Sequence, residues 1–467
     1  MSQSKRENII VIVSDQLRIH ALDDREIRTP HIDRLRGESF EFHTAVSNCP
    51  ICMPARSALL SGQYTRRCTG NLNNHHKFDR EGQWYFPDPP ERRRTQLLDK
   101  TLPEYLSEAG YYNKLIGKWH IHPEPRLLGF DSWCYPLAYH RYYQQGYFED
   151  DTAYIADEFA PELEARKMRE FISGYEDERP FFLYYNLSFP HMPLGNLPEP
   201  HRSMYDPAKL TLRENVRSDD PEQLAHWIEA YLSYYFRDQH VPIPDEVRRE
   251  YSSLEGITAL YNGAVTLVDD MIGELVAELK KAGLYDSTTI VFTADHGDML
   301  GSHAHYNKSQ LYEEAIRVPL IVRSPRVDPG RTDAQIAQLI DVTPTLLDYL
   351  GIAAETSVDG QSLLPVLTRE RATLPTNHAF VECTSNKIGV RTPEYLYGMK
   401  IDPADHSITD RELEFFSLEE DPLELRNLAG EVPAELLPVA TELRSRLESW
   451  HNETPWLPNE SGTGWQG

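Results

Sequence analysis

The sequence predicts an α/β protein: a large, doubly wound, mostly parallel sheet flanked by helices, with a small antiparallel sheet and one helix appended at the C-terminal end. Three observations predict it. Short apolar runs alternate with amphipathic helical stretches through the first 370 residues. Four of those runs end in acidic, basic or imidazole side chains. After about residue 370 the pattern changes to closely spaced short strands and a last helix near 433–450.

The strands come first. "NIIVIV" is followed by Ser14-Asp15-Gln16, and "YYNKLI" by Gly117-Lys118-Trp119-His120. "PFFLYYNLS" is followed by Phe189-Pro190-His191, and "TTIVFT" by Ala294-Asp295-His296-Gly297. Runs rich in β-branched and aromatic residues suit buried strands of a parallel sheet. Ligands bind outside the carboxyl ends of such strands. Four strands ending in Asp, Lys or His therefore point to one shared site.

Helices alternate with these runs. "TPHIDRLRGE" has apolar residues at Ile32 and Leu35, and "TLPEYLSEAG" has Thr101 as N-cap and Gly110 as stop. "ALYNGAVTLVDDMIGELVAELKKAG" is a long amphipathic helix ending at Gly283, and "IDVTPTLLDYLGI" is another. The alternation predicts a catalytic unit over 1–370. Pro- and acid-rich sequence over 195–250 interrupts it and reads as an insertion near the site mouth. "HAFVEC", "KIGVRT", "YLYGMKI" and "EFFSL" are the short strands of a second unit over 371–467.

Composition narrows the function. The chain has 467 residues, enough for two domains or one large domain with an appendage. Hydrophobic content of 40% and charged content of 26% suit a globular protein in water. A net charge of −26 disfavours nucleic-acid and anionic-membrane partners, although a small pocket can still be cationic. The apolar run Ile9–Val13 is too short for a signal peptide. No run reaches the roughly 18 apolar residues of a membrane span. The expectation is a cytoplasmic protein. Cysteines at 49, 52, 68, 134 and 383 are few and odd in number, as in a reducing compartment.

The stretch "NCPICMPARSALLSGQY" at 48–64 raises the chemical question. Cys49 and Cys52 are three apart, the spacing of a redox dithiol, half a zinc site or a disulfide. A zinc site needs a second Cys/His pair, and no second CxxC occurs. Pro54 favours extended backbone at Met53, and Arg56 places a fixed cation one turn into the following helix. The helix N-terminus adds positive potential there.

Cys52-Met53-Pro54-Ala55-Arg56, continuing to Leu60-Ser61-Gly62, resembles the signature of the type I sulfatases of the alkaline phosphatase superfamily. In that family the cysteine is oxidised to formylglycine (3-oxoalanine), whose hydrate is a geminal diol. One hydroxyl attacks sulfur and the other later expels sulfate. The resemblance sets the register on Cys52 rather than Cys49. It implies a divalent metal held by Asp15, Gln16, Cys52, Asp295 and His296. Oxygen ligands favour Ca2+, and the neutral Gln16 and His296 leave room for Mn2+ or Mg2+.

Further motifs follow in family order. "GKWH" implies that Lys118 binds a sulfate oxygen and His120 takes the proton that lets sulfate leave. "SFPHMP" places His191 at the leaving-group oxygen. "HYNKSQLYEEAIRVPLIV" implies that Lys308 clamps sulfate. "FFSLEEDPLELRNLA" is similar to the family's tail motif. Asn73 in "TGNLNN" and His303 in "LGSHAHY" are candidate substrate contacts, and Asp298 a loop anchor. Metal, Arg56, Lys118 and Lys308 together would preorganise cations around one sulfate. His120 and His191 would move protons near neutral pH. The resemblance spans about residues 8–430.

The implied activity is hydrolysis of a small sulfated sugar, aryl or alkyl sulfate, or choline sulfate. Its implied partner is a formylglycine-generating maturation enzyme. Phosphonate monoester and phosphodiester hydrolases share the Cys-x-Pro-x-Arg element, the Asp-Gln start and the Asp-His pair. They carry neutral hydroxyl-bearing residues where this chain has "GKWH", so Lys118 and His120 favour the sulfatase. Two other readings are a non-catalytic homologue that binds sulfated ligands and a thiol oxidoreductase using Cys49 and Cys52. The Tyr-dense segment 133–155 can stack sugars or aryl groups, or form a buried packing face. "HHKF" (75–78) and "RRR" (92–94) can recognise an anion or simply be solvated. An oligomer is compatible with the sequence.

Overall fold

The computed structural model describes residues 7–70, 94, 96–137, 141–216, 226, 229, 243–354 and 358–457. Asn73, "HHKF", Arg92, Arg93 and much of the 195–250 stretch lie outside the described residues.

The main sheet contains β1 (Asn8–Asp15), β2 (Phe40–Val46), β3 (Tyr112–Gly117), β4 (Ser132–Pro136), β5 (Gln145–Glu149) and β6 (Thr152–Ala156). β7 (Phe181–Pro190), β8 (Thr288–Ala294), β9 (Arg317–Arg323), β10 (Gly330–Thr332) and β11 (Ala337–Gln338) complete it. The order is β10-β2-β9-β8-β1-β7-β3-β4-β5-β6, with β11 also on β2. β8, β1, β7, β3 and β4 are mutually parallel. β9 runs antiparallel to β8 and β2, and β5 and β6 form an antiparallel edge.

Every residue of β1, β7 and β8 is buried, as continuous apolar runs covered on both faces require. Their register sets Ile9 beside Phe182 and Thr289, and Val13 beside Asn186 and Thr293. The carboxyl ends of β8, β1, β7 and β3 therefore lie side by side. Those ends carry Asp295, Asp15, His191 and Lys118.

Helices cover the sheet where the apolar periodicity predicts them. Leu254–Lys281 starts at Ser253, whose Oγ accepts the Gly256 N–H at 3.0 Å, and stops before Gly283, at φ +69°. It packs on β7 and on the helix Ala160–Ser173. From its middle, Asp269 accepts the His31 and Ile32 N–H groups at 2.9 and 2.7 Å and so caps the helix Pro30–Gly37. Leu102–Glu108 carries a Thr101/Glu104 capping box.

The described part of the Tyr-dense segment forms β4–β6, with Tyr142 just before β5. Trp133, Tyr135, Tyr142 and Tyr147 are buried, which answers the packing alternative for these four. Tyr142 stacks on Phe189 at 4.2 Å, and its hydroxyl donates to His191 O at 2.7 Å.

The second sheet, β12 (Ala379–Cys383), β13 (Lys387–Arg391), β14 (Tyr395–Ile401) and β15 (Ile408–Ser417), is antiparallel throughout. The helix Leu437–Glu453 packs Leu443, Leu447 and Trp450 onto it. Ala58, Tyr64 and Ile340 of the main unit join the same apolar cluster. At that seam Arg66 is buried between Trp450 and Trp456, 4.2 and 4.4 Å from the ring centres. Its Nε donates to Glu382 at 2.9 Å.

Candidate active site

The helix Cys52–Ser61 begins at Cys52 itself. Here the structure corrects an expectation: Met53 is helical, and the extended residue is Ile51 (φ −152°, ψ 137°). Pro54 sits in the first turn, where its missing N–H had no intrahelical acceptor to lose. The helix ends at Gly62, φ +69°, and all ten of its residues are buried.

Around Cys52 the four strand ends converge. One ligand atom from each of Asp15, Cys52, Asp295 and His296 lies within 4.8 Å of the others, and all four residues are buried. Cys52 Sγ is 3.5 Å from Asp15 Oδ1 and 3.2 Å from His296 Nε2. His296 Nδ1–H donates to Gly297 O at 2.8 Å, leaving Nε2 turned toward the cluster. Gln16 N–H donates to Asp295 Oδ1 at 3.0 Å, and its Nε2 donates to Asp298 Oδ2 at 2.5 Å. Gln16 Oε1 is buried without a hydrogen-bond partner. Two carboxylates, an imidazole and an orphaned amide oxygen fit a hard divalent cation. Asp298 anchors its own loop as well, accepting Leu300 N–H at 2.9 Å.

Cations close the cluster. Lys118 pairs with Asp15, both fully buried. Lys308 Nζ lies 2.8 Å from Cys52 Sγ and 3.0 Å from His191 Nε2. His191 Nδ1–H donates to Met192 O at 2.6 Å, so Nε2 accepts from the Lys308 ammonium. Arg56 Nε donates to Asp295 Oδ2 at 2.9 Å and Nη1 to Asn186 Oδ1 at 3.0 Å, while the buried Nη2 has no hydrogen-bond partner.

These neighbours shift the acids and bases. Burial raises the Cys52 thiol, but Lys118, Lys308 and His296 outweigh it and hold it well below the usual thiol range. Burial raises Cys49 well above that range, with Glu382 adding to the effect. Burial and Cys52 raise Asp15, yet Lys118, His191 and Arg56 leave it depressed. Burial pushes His120 down to about 4, against its hydrogen-bonding neighbour Cys52. His191 is lowered by burial and by Lys308. Both imidazoles are therefore neutral near pH 7 and ready to accept a proton. None of the five cysteines is in a disulfide.

Three positioning features were not read from the sequence. Asn186, one strand over, holds Arg56 through Oδ1 and accepts Lys118 N–H at its backbone oxygen, 3.1 Å. Gly117, φ +87°, packs so closely on Asn186 O that a Cβ would lie 1.9 Å from it. Lys308 is flanked by left-handed Asn307 (φ 68°) and Ser309 (φ 66°). The β12–β13 turn braces it: Thr384 Oγ1 lies 2.6 Å from Ser309 Oγ, and Ser385 Oγ donates to Ser309 O at 3.0 Å. Left-handed backbone at Gln16 (φ 68°) and His120 (φ 41°) was equally silent in the sequence, although such outliers gather at functional sites. His303 makes its contacts in a neighbouring cluster with Asn215, Tyr312, Glu314 and Glu424.

An α/β fold that gathers fixed cations and a cation-binding set around one activated side chain defines a hydrolase of oxyanion esters. The chain belongs to the sulfatase family: the Sulfatase family model matches residues 7–352. The model for the C-terminal region of N-sulphoglucosamine sulphohydrolase matches residues 301–453. N-acetylglucosamine-6-O-sulfatase of Bacteroides thetaiotaomicron is 26% identical over 96% of this chain and 86% of its own. A solved structure in complex with its substrate D-glucosamine-2-N,6-O-disulfate has a similar fold, with TM-score 0.77 and 23% identity over 98% of this chain and all of the other. So does a phosphonate monoester hydrolase from Silicibacter pomeroyi, with TM-score 0.71 and 23% identity over 96% of each chain. The protein is a sulfuric ester hydrolase, releasing inorganic sulfate from a sulfate ester. No described helix is long and apolar enough to cross a membrane.

Proposed function

We propose that this sulfatase acts on a sulfate ester of a small carbohydrate, through a formylglycine made from Cys52 and a divalent metal, most naturally Ca2+. The observation that carries the reading is the convergence of Lys118, Lys308 and Arg56 with Asp15, Asp295 and His296 on Cys52. The sugar substrate is supported by the 6-O-sulfatase relative. Asp15, Gln16, Asp295, His296 and the modified residue 52 would hold the metal, which would supply positive charge at a sulfate oxygen. Converted and hydrated, residue 52 would supply the hydroxyl that attacks sulfur and the one that later expels sulfate.

The chain's own groups do the rest. Lys118 and Lys308 bind sulfate oxygens from two sides, and the unpaired Arg56 Nη2 offers a further fixed donor. His191 Nε2, on Lys308, receives or returns a proton at the leaving oxygen. His120, which burial keeps unprotonated near neutrality, takes a proton from the residue-52 hydroxyl. Conversion of Cys52 requires a formylglycine-generating partner enzyme. Residues 1–370 form the catalytic unit and 371–467 the appended subdomain. The start of a second sheet at Ala379 supports this division.

A phosphonate or phosphodiester activity is the second reading, favoured by Gln16 beside Asp15 and His296 beside Asp295. The test uses protein whose Cys52 conversion has been verified by peptide mass spectrometry. The ratio of kcat/KM for an aryl sulfate to that for an aryl phosphonate monoester should exceed one. A ratio far below one sinks the sulfatase preference. Activity retained in Cys49→Ala and lost in Cys52→Ala excludes a dithiol mechanism.

A further inference from the structure

Next to the Cys52 cluster lies a second convergence of ligand atoms, two of its three residues buried and His303 half-buried, that the proposed reaction does not use. His303 follows β8, Glu314 lies in the short helix Glu313–Ile316, and Glu424 lies in the turn after β15. One ligand atom from each lies within 4.8 Å of the others. Glu314 and Glu424 are 1% and 2% exposed. Asn215, also 1% exposed, is tied into the group. Its Nδ2 donates to Glu314 Oε1 at 2.7 Å and lies 3.1 Å from His303 Nε2.

Existing hydrogen bonds account for only one oxygen of each carboxylate. Glu314 Oε1 also accepts Arg213 Nε at 2.8 Å, and Glu424 Oε2 accepts Glu313 N–H at 3.0 Å. Glu314 Oε2, Glu424 Oε1 and Asn215 Oδ1 are shut off from solvent and have no hydrogen-bond partner. A buried polar atom left without a partner is destabilising, and a charged one more so. Three orphaned oxygens beside one imidazole are therefore an expensive arrangement unless something binds them together.

Charge points the same way. Arg391 pairs with Glu313 at 3.1 Å and Arg213 with Glu314 at 2.8 Å, while no ion pair with a described residue offsets Glu424. Burial, then Glu314 and Glu313, disfavours its charged form. Both His303 and Glu424 are held at φ 54°, a left-handed backbone that is strained for non-glycine residues. The His303 ring is locked face to face with Tyr312, 3.9 Å between centres.

We propose that His303, Glu314, Glu424 and Asn215 form a second divalent-cation site, separate from the catalytic one. One ion supplies the missing partner to all three oxygens and neutralises the two carboxylates. Three oxygens and one imidazole nitrogen suit Mn2+ or Zn2+ better than Ca2+, which prefers an all-oxygen set. The ion pins the His303 loop to the tail turn. The same loop carries Asp298, which holds Gln16. The backbone oxygen of Glu314 packs directly on Gly297, where a Cβ would lie 1.9 Å away. Site two thus buttresses the loop that supplies site one.

Mn2+ is the probe. Protein equilibrated with Mn2+ and freed of unbound ion should hold two ions per chain by elemental analysis, and Glu424→Gln one. His296→Ala, which cripples the catalytic site, should keep one ion with an imidazole-nitrogen coupling in pulsed EPR. That coupling should vanish in His296→Ala/His303→Ala. If Glu424→Gln fails to fold by circular dichroism, His303→Ala alone gives the same stoichiometric reading. A wild-type chain that holds one ion and loses it with His296→Ala overturns the proposal. So does a folded Glu424→Gln chain that still holds two. The buried carboxyls would then share a proton instead.

Discussion

Gly117→Ala is the sharpest perturbation the structure offers. Gly117 ends β3 at φ +87°, and its α-carbon faces the Asn186 carbonyl across the parallel pair β3–β7. A methyl group there would sit 1.9 Å from Asn186 O, which is backbone and cannot swing aside. Close C···O contacts need about 3.3 Å, so the two strand ends must part by more than about 1 Å. Strain from the left-handed backbone adds about 1–2 kcal/mol, and overpacking about 1–3 kcal/mol. Lys118 and Asn186 both move, and Asn186 carries Arg56. A displacement of that size costs on the order of 100-fold in rate. The assay is kcat/KM with an aryl sulfate on protein of verified Cys52 conversion, alongside thermal unfolding. Gly110→Ala is the control: it has φ +85° but nothing within 4 Å of the new methyl. It should lose about 1–2 kcal/mol of stability and keep its activity. If Gly117→Ala stays within about threefold of wild type and unfolds like the control, strand closeness does not set the Lys118 position and the reasoning fails.

Two other predictions concern pH and the bracing of Lys308. Glu164 is buried, its carboxyl pushed by burial up to about 8 from an ordinary 4.5, with Tyr147 hydroxyl 3.2 Å away. The folded state therefore holds a proton that the unfolded chain loses first. Stability from this group is full below about pH 4.5 and is lost as pH rises to about 8. Glu164→Gln should flatten that slope and unfold at higher temperature than wild type near pH 8, with the gap closing toward pH 5 in thermal scans. Parallel curves would refute the assignment. For Lys308, Thr384→Val/Ser385→Ala removes both side-chain bonds to Ser309. It should lower kcat about tenfold with little change in KM, a loss of roughly 1.4 kcal/mol, while Thr384→Ser retains activity. An unchanged kcat would show that Lys308 needs no such brace.

Much of the candidate site's clustering was legible in the sequence because parallel strands advertise themselves. A buried strand must be apolar along its whole length, so the first polar residues after it mark the functional edge. Asp15, Lys118, His191 and Asp295 each follow such a run. Strands with polar residues were less legible: β2 reads "FEFHTAV", with glutamate and histidine in a strand paired antiparallel with β9. Asn186 escaped because an asparagine inside an apolar run looks like an ordinary strand residue. Its role depends on which strand lies beside it, a fact of register rather than composition. Gly117 is one of 25 glycines, and its close approach to the Asn186 carbonyl is again a fact of strand register. The brace from Thr384 and Ser385 is about 75 residues from Lys308 along the chain and belongs to the other sheet. His303 read from the sequence as a candidate substrate contact; its neighbours Tyr312 and Asn215, the latter 88 residues away along the chain, could not be read there.

The Arg66 seam has a consequence for how this chain can be cut or extended. Arg66 follows the Cys52 helix by one turn and is gripped by tryptophans from the last described segment of the protein. Leu457 N–H also donates to Arg66 O at 2.6 Å. The polypeptide thus behaves like a belt whose buckle closes on the segment that follows the Cys52–Ser61 helix. Trimming the tail back through Trp450 would strip both tryptophans from a buried guanidinium, a few residues past the end of the Cys52–Ser61 helix. A tag fused beyond residue 457 leaves the buckle shut, whereas a protease nick between Glu453 and Trp456 opens it.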